Sequence, residues 1–288
     1  MNRPATVTSN GLPISFDDAT TAPLPDSTAL LDDPGALRAR LDEHGVVFLR
    51  GVLDAEQVWE LREDYFARFP PSYLRVGTTP AAGVFSGTTP PELGAHGMPG
   101  HPAHSLVRDG RLTRFLDSSP LHALAGTLLD DKATMLPRVI LRHFDSSSRR
   151  SSRAHTDYAY MDRSTSSVIT SWIPIGDCPV ESGGIVYLED SHLIDRAQLA
   201  KLRQVTDRPG DDRPLSHDLT WVGRELGRRW LWANFRAGDV VFHGPHIVHA
   251  SLDTATPTMR MSVDVRFVAQ HQRPDDRWLR TWSADDGA

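Results

Sequence analysis

His155-Thr156-Asp157 sets an imidazole and a carboxylate two positions apart. On an extended chain, side chains at i and i+2 leave the same face. The two groups then converge on one point. A second imidazole there would complete the 2-His-1-carboxylate set that holds non-haem Fe(II) and leaves other positions open. The pair alone carries little weight, because a chain with 13 His and 37 Asp plus Glu yields such pairs in solvated loops.

About ninety residues on stand three candidate partners, His243, His246 and His249. His-x-x-His on a helix would suggest a zinc hydrolase. That helix is disfavoured: Gly244-Pro245 sits inside it, Val240-Val241-Phe242 reads as strand, and no Glu follows the first His. Further on the chain alternates cleanly. Met259, Met261, Val263, Val265 and Phe267 share one face, and Arg260, Ser262, Asp264 and Arg266 share the other. An Arg facing a polar cavity binds a carboxylate through two parallel N–H···O bonds. Arg260 and Arg266 compete for that role, with pairing to Asp264 or another carboxylate as the plainer use of Arg266.

His155, Asp157, His249, Ser251 and Arg260 together resemble the phytanoyl-CoA dioxygenase family of Fe(II)/2-oxoglutarate-dependent oxygenases. The family pattern is His-x-Asp, a distal His followed by a small residue and Ser, then an Arg eleven residues past that His. The resemblance spans roughly residues 135–270. It implies that His155, Asp157 and His249 hold Fe(II), that Arg260 and Ser251 receive 2-oxoglutarate, and that dioxygen is the third reactant. Trp172 stands where the family often has an aromatic against the co-substrate, with core packing as its rival role. Arg142 and Arg138 compete to supply a further charge nearby. Tyr158 and Tyr160 follow the ligand pair and are candidates for the substrate pocket. The resemblance implies oxidation of an unactivated C–H bond with release of succinate and carbon dioxide. Related halogenases lack the carboxylate, so Asp157 favours hydroxylation. Desaturation or cyclisation by the same centre is the alternative within this class. A zinc-dependent hydrolase and a non-catalytic jelly-roll binding protein are the alternatives outside it. One departure is plain: the family's Pro-Gly-Ser-His-like corner reads Glu189-Asp190-Ser191-His192 here.

The elements that must position these residues are many short strands preceded by helices. That order suggests a mainly β sandwich or jelly roll with flanking helices. The resemblance implies the double-stranded β-helix, a cupin-like jelly roll. Residues 1–26 read as an irregular arm and 27–288 as one oxygenase domain. That domain divides into a helical part (27–132), a β-helix core (about 133–270) and an insertion (193–236) expected to cover one mouth of the barrel. Asp33-Pro34 opens a helix that ends at His44-Gly45, and Asp54 caps a second over about 55–68. Further helices are expected at about 105–117 and 120–130, and strands at 46–49, 134–144, 168–175, 185–188, 239–243 and 258–269. The Gly/Pro-rich stretch 70–102 reads as a lid, a substrate wall or a surface loop. Its His96, His101 and His104 share no imposed geometry, so a metal there is disfavoured. Ser146–Arg153 reads as a basic turn beside the His-x-Asp pair, ordinarily solvated.

Composition narrows the classes. The 288 residues suffice for a sizeable core, and 39% hydrophobic with 24% charged content is ordinary for a globular chain. A net charge of −6 argues against a nucleic-acid or anionic-membrane partner. No apolar run is long enough to span a bilayer, and the N-terminus lacks a signal-peptide pattern. A single cysteine, Cys178, suits a reducing, cytoplasmic setting. The expected partner is a small-molecule substrate; the oligomeric state is left open. Arg outnumbers Lys 29 to 2, a sign of GC-rich coding. With the family's frequent place in bacterial biosynthesis, this points to a natural-product substrate.

Overall fold

Two sheets, antiparallel except for one parallel edge pairing in the smaller, face each other across the interior of this computed structural model, which describes residues 6–148, 151–161, 167–203 and 213–283. Arg149 and Arg150 of the basic turn, and residues 204–212 of the expected insertion, lie outside the described residues.

The N-terminal stretch expected to be irregular is partly strand. β1 (Thr6–Ser9) and β2 (Leu12–Ser15) form a hairpin turned at Asn10-Gly11, and β3 (Thr21–Pro23) follows. The turn signal was legible; what fixes these strands is tertiary packing. Val7, Ile14 and Phe16 join an apolar cluster with Trp230 and Trp232. Helix α1 runs Pro34–His44 with Asp33 capping Ala36 N–H and Gly45 closing it at φ 69°. Then come β4 (Val46–Leu49) and α2 (Ala55–Ala67), the latter capped by Asp54 on two backbone N–H groups. The helix expected at 105–117 is two, α3 (Pro102–Arg108) and α4 (Arg111–Asp117), broken where Gly110 takes φ 78°. α5 covers Leu121–Leu129. The strand expected at 134–144 is likewise two, β5 (Ala133–Met135) and β6 (Ile140–Phe144), interrupted around Pro137, which has no N–H for the ladder.

After the one-turn helix α6 (Asp157–Tyr160) come β7 (Val168–Pro174), β8 (Ile185–Leu188), α7 (Arg196–Lys201) and α8 (Leu219–Leu226). β9 (Trp230–Trp232), β10 (Val240–His243), β11 (His249–Ser251) and β12 (Arg260–Ala269) complete the set. The larger sheet has the order β4-β10-β7-β12-β5, with β6 also on β12; the smaller has β11-β8-β9-β3. β9 is thus a strand of the smaller sheet, not part of a covering insertion. The helices pack on the outer face of the larger sheet through Val47, Leu49, Phe242, Val263, Val265 and Phe267. The inner faces meet at one end through Phe48, Trp172, Tyr187, Leu231, Phe235 and Val241. Burying such a side chain contributes about 1.5–3 kcal/mol each. Towards the other end the inner faces turn polar and leave a cavity.

Residues 70–102 lack regular structure over most of their length but are pinned. Arg62, 1% exposed, donates to the carbonyls of Ala81 (2.8 Å), Ile175 (2.9 Å) and Met259 (2.7 Å). Tyr73 and Phe85 are buried in the core, and His96 reaches the carbonyl of Leu141 at 2.8 Å. The corner at residues 189–192 keeps a left-handed turn, with Asp190 at φ 49°. Buried Ser191 accepts Val248 N–H at 2.8 Å there.

Candidate active site

His155 and His249 face each other as an exchanged antiparallel pair. His155 N–H donates to the His249 carbonyl at 3.0 Å, and His249 N–H returns the bond at 2.9 Å. Directly opposed residues send side chains to the same face, and the two ring centroids are 4.2 Å apart. Thr156 is extended (φ −112°, ψ 142°), so Asp157 returns to the His155 face as the spacing required, although Asp157 itself opens α6. A nitrogen from each His and a carboxylate oxygen of Asp157 all lie within 4.8 Å of one another.

The tautomers suit a metal. His155 Nδ1 lies 2.6 Å from the Arg153 carbonyl and His249 Nδ1 3.2 Å from the Ile247 carbonyl. A carbonyl only accepts, so both Nδ1 atoms carry the proton. Both Nε2 lone pairs are then free, as metal-ligating histidines require. Burial pushes His155 below its usual range, and pushes His249 well below it with help from the neighbouring imidazoles. Neutral imidazole is the ligating form. Burial alone would raise Asp157, but the Arg266 guanidinium, with the imidazoles of His243 and His249, holds it well below the carboxylate range. The donor set fits an iron ion.

His243 and His246 do not join this group. His243 is buried with Nδ1 3.0 Å from the Tyr187 hydroxyl. His246 stacks on Tyr158 at 4.6 Å, and Arg196 covers the Tyr158 ring at 4.1 Å. Of the two tyrosines, Tyr160 lines the cavity and Tyr158 does not.

Arg260 is 2% exposed and reaches only neutral oxygens: the Gly183 carbonyl (3.0 Å), Ser262 Oγ (2.6 Å) and Ser251 Oγ (3.1 Å). Phe144 lies under its guanidinium at 4.4 Å. Among the described residues no carboxylate bonds to it, and burial lowers its pKa to about 10. A buried cation in this state favours an anion. Ser251 is two residues from His249 on β11, so this anion site lies one strand repeat, roughly 6.6 Å, from the ligand. Arg266, the rival candidate, bonds Asp157 instead, at 3.1 and 3.2 Å. Arg142 is paired with Asp264, so its charge is already met. Trp172 lines the cavity with its ring against Phe235; Arg138 is buried elsewhere.

The triad, Arg260 and Ser251 all open onto one cavity of about 840 Å³, bounded also by His96, Tyr160, Trp278 and Trp282. The volume exceeds what a five-carbon diacid fills and leaves room for a second molecule. A further group of nitrogens, from His96, His101 and His143, also converges. Hydrogen-bond directions disfavour a metal there. Tyr73 donates to Asp145 at 2.8 Å, so it accepts from His143 Nε2, and His143 Nδ1 accepts from Tyr65. His101 Nδ1 accepts Ala103 N–H at 3.0 Å, which leaves its proton on Nε2.

A jelly roll enclosing two histidines, one carboxylate and a buried arginine defines the non-haem iron, 2-oxoglutarate-dependent oxygenases. The phytanoyl-CoA dioxygenase (PhyH) family model matches residues 41–262, and the chain belongs to that family. It is an oxidoreductase of this class, with iron and 2-oxoglutarate as its cofactor and co-substrate. No curated protein sequence matches it. Among solved structures, the epimerase SnoN in complex with Fe3+, alpha ketoglutarate and nogalamycin RO is 20% identical, with a TM-score of 0.54 over 83% of this chain and 84% of that one. EctD from S. alaskensis with bound Fe is 15% identical, with a TM-score of 0.54 over 94% and 90%. The carbocyclase SnoK from nogalamycin biosynthesis is 19% identical, with a TM-score of 0.51 over 85% and 87%. At these identities the likeness is one of fold.

Proposed function

We propose that His155, Asp157 and His249 bind Fe(II), that Arg260 and Ser251 bind the distal carboxylate of 2-oxoglutarate, and that the enzyme hydroxylates an unactivated C–H bond of a small natural-product molecule. The observation that carries this reading is Arg260, a buried cation beside the triad that, among the described residues, has three neutral acceptors and no carboxylate bonded to it. The bound iron supplies oxidation of a C–H bond by dioxygen, coupled to conversion of 2-oxoglutarate to succinate and carbon dioxide. The chain's own residues do the rest. Arg260 and Ser251 fix the co-substrate by its far end, which orients its keto-acid end towards the triad. The apolar inner faces around Trp172 and Phe235 exclude water from that contact. The remaining cavity, walled by Tyr160, Trp278 and Trp282, receives the substrate. Asp157 keeps a third protein ligand in place, which favours hydroxylation over halogen transfer. SnoN and SnoK, similar in fold, belong to nogalamycin biosynthesis, which favours a natural-product substrate here.

The test is oxygen-dependent succinate formation with Fe(II) across a panel of natural-product intermediates, with mass spectrometry of the product. A product 16 Da heavier supports hydroxylation, and a product 2 Da lighter indicates desaturation or cyclisation. Turnover with zinc and no need for oxygen defeats the proposal.

A further inference from the structure

Asp157 arrives at the site as the first residue of α6, and its carboxylate is met by one rung of the larger sheet. The register of β10, β7 and β12 places His243 opposite Thr170 and Thr170 opposite Arg266. Residues opposed across a sheet send side chains to the same face about 5 Å apart. The rung therefore presents an imidazole, a hydroxyl and a guanidinium in a row, and all three meet Asp157. Thr170 Oγ1 donates to Oδ2 at 2.5 Å. Arg266 Nη2 donates to Oδ1 at 3.1 Å and Oδ2 at 3.2 Å. His243 Nε2 lies 3.5 Å from Oδ2.

Each member is committed to this task. Among the described residues, Arg266 Nε and Nη1 are buried without a hydrogen-bond partner, and its guanidinium lies over the Trp278 ring at 4.4 Å. Its hydrogen bonds go to Asp157. Asp157 Oδ2 only accepts, so the His243 proton that faces it sits on Nε2, and Nδ1 then accepts from the buried Tyr187 hydroxyl at 3.0 Å. His243 Nε2 has no hydrogen bond of ordinary length and faces Oδ2, so His243 is set as a donor and not as a fourth ligand. The other carboxylate oxygen, Oδ1, faces His249 Nε2 at 3.8 Å.

We infer that the rung His243–Thr170–Arg266 is a positioning device: Thr170 and His243 hold Oδ2 of Asp157, Arg266 spans both oxygens, and Oδ1 is left turned towards His249 Nε2 before any metal binds. The inference rests on the metal assignment above. Thr170 and His243 lie outside the cavity lining, and Arg266, which lines it, bonds Asp157. The rung acts through Asp157, and outer partners of this kind set metal affinity by ten- to a hundredfold.

The experiment titrates the metal-free full chain with Co(II) alone, followed by its visible d–d absorption. Thr170→Val removes the hydroxyl at nearly constant volume, and Thr170→Ser restores it. Thr170→Val is expected to raise the Co(II) dissociation constant ten- to a hundredfold and to shift the d–d bands, with Thr170→Ser close to wild type. His243→Leu is expected to behave as Thr170→Val, and His243→Gln, which keeps a terminal N–H donor, to stay nearer wild type. Circular dichroism of each metal-free variant reports folding separately, so an unfolded His243→Leu leaves the two Thr170 variants to decide. Wild-type affinity and bands in Thr170→Val overturn the rung, as do equal losses in Thr170→Val and Thr170→Ser. A wild-type chain that binds no Co(II), or an Asp157→Ala variant that binds as tightly as wild type, overturns the metal assignment and the rung with it. Binding lost in Asp157→Ala but unchanged in Thr170→Val overturns the rung alone.

Discussion

On the proposed assignment, replacing Arg260 with alanine leaves the distal carboxylate of 2-oxoglutarate in a dry wall without its cation. Arg260 is 2% exposed, and its guanidinium is held by Gly183, Ser262 and Ser251. Removing one partner of a buried, hydrogen-bonded charge pair costs about 2–5 kcal/mol. At about 1.4 kcal/mol per factor of ten, that is roughly thirtyfold to several-thousandfold in the co-substrate dissociation constant. Depth of burial places the expectation in the upper half of that range. Arg260→Lys keeps a charge but not the planar fork, so a smaller loss, about ten- to fiftyfold, is expected. Co-substrate affinity is read anaerobically by adding 2-oxoglutarate to the Fe(II) enzyme and following the weak visible charge-transfer band. Fe(II) affinity without co-substrate is measured in parallel and is expected to change little. A melting curve of the metal-free variant separates binding from folding, because alanine also strips donors from three buried oxygens. Near-wild-type affinity in folded Arg260→Ala, with the loss appearing in an Arg266 variant, would falsify the anchor assignment.

Alanine at His155, Asp157 or His249 is expected to abolish Fe(II) binding, whereas His246→Ala, whose ring lies on Tyr158, keeps it; metal content after desalting decides. Arg62→Ala removes donors from the carbonyls of Ala81, Ile175 and Met259 and is expected to destabilise the fold by about 3 kcal/mol or more, read from the denaturation midpoint. The third expectation concerns acid. Burial lowers His101 from 6.5 to about 3, so the unfolded chain takes up its proton before the folded one does. Its stabilisation is full above pH 6.5 and is lost as pH falls towards 3, about 2 kcal/mol of it between pH 6.5 and 5. His101→Phe removes that dependence, though losing the cap on Ala103 N–H costs about 1 kcal/mol at neutral pH. A pH–stability slope unchanged in His101→Phe contradicts this account.

Local rules carried the sequence reading where the structure is local. The bounds of α1 and the cap of α2 follow from Asp33, Gly45 and Asp54 alone. The alternation of residues 259–267 was legible because a strand's period is two, and Arg260, Asp264 and Arg266 do line the cavity. Legibility stopped where distant segments decide. Beyond the Asn10-Gly11 turn, β1 and β2 were not legible, because Val7 and Ile14 gain their order from tryptophans more than two hundred residues away. The stretch 70–102 offers no periodicity, yet Arg62 pins its backbone from another helix.

The two arginines of β12 show the same limit at the site itself. Spacing put Arg260 and Arg266 on one face and could not separate them further, since both present the same fork. What separates them is the partner each meets across the interior. Arg260 leaves its strand level with Gly183 and Ser251, which offer neutral oxygens only. Arg266 stands opposite Thr170 in the rung that receives Asp157. The first therefore keeps a charge that an incoming anion can answer, and the second has already spent its charge on the Asp157 carboxylate. A register shift of six residues along β12 would put Arg266 where Arg260 stands. The pairing of β7 with β12 over seven residues, from Ser262↔Pro174 to Val268↔Val168, is what forbids it. A slip there would misplace Val263, Val265 and Phe267, all fully buried against the helical layer. The core on one face of the strand thus fixes which arginine does which chemistry on the other.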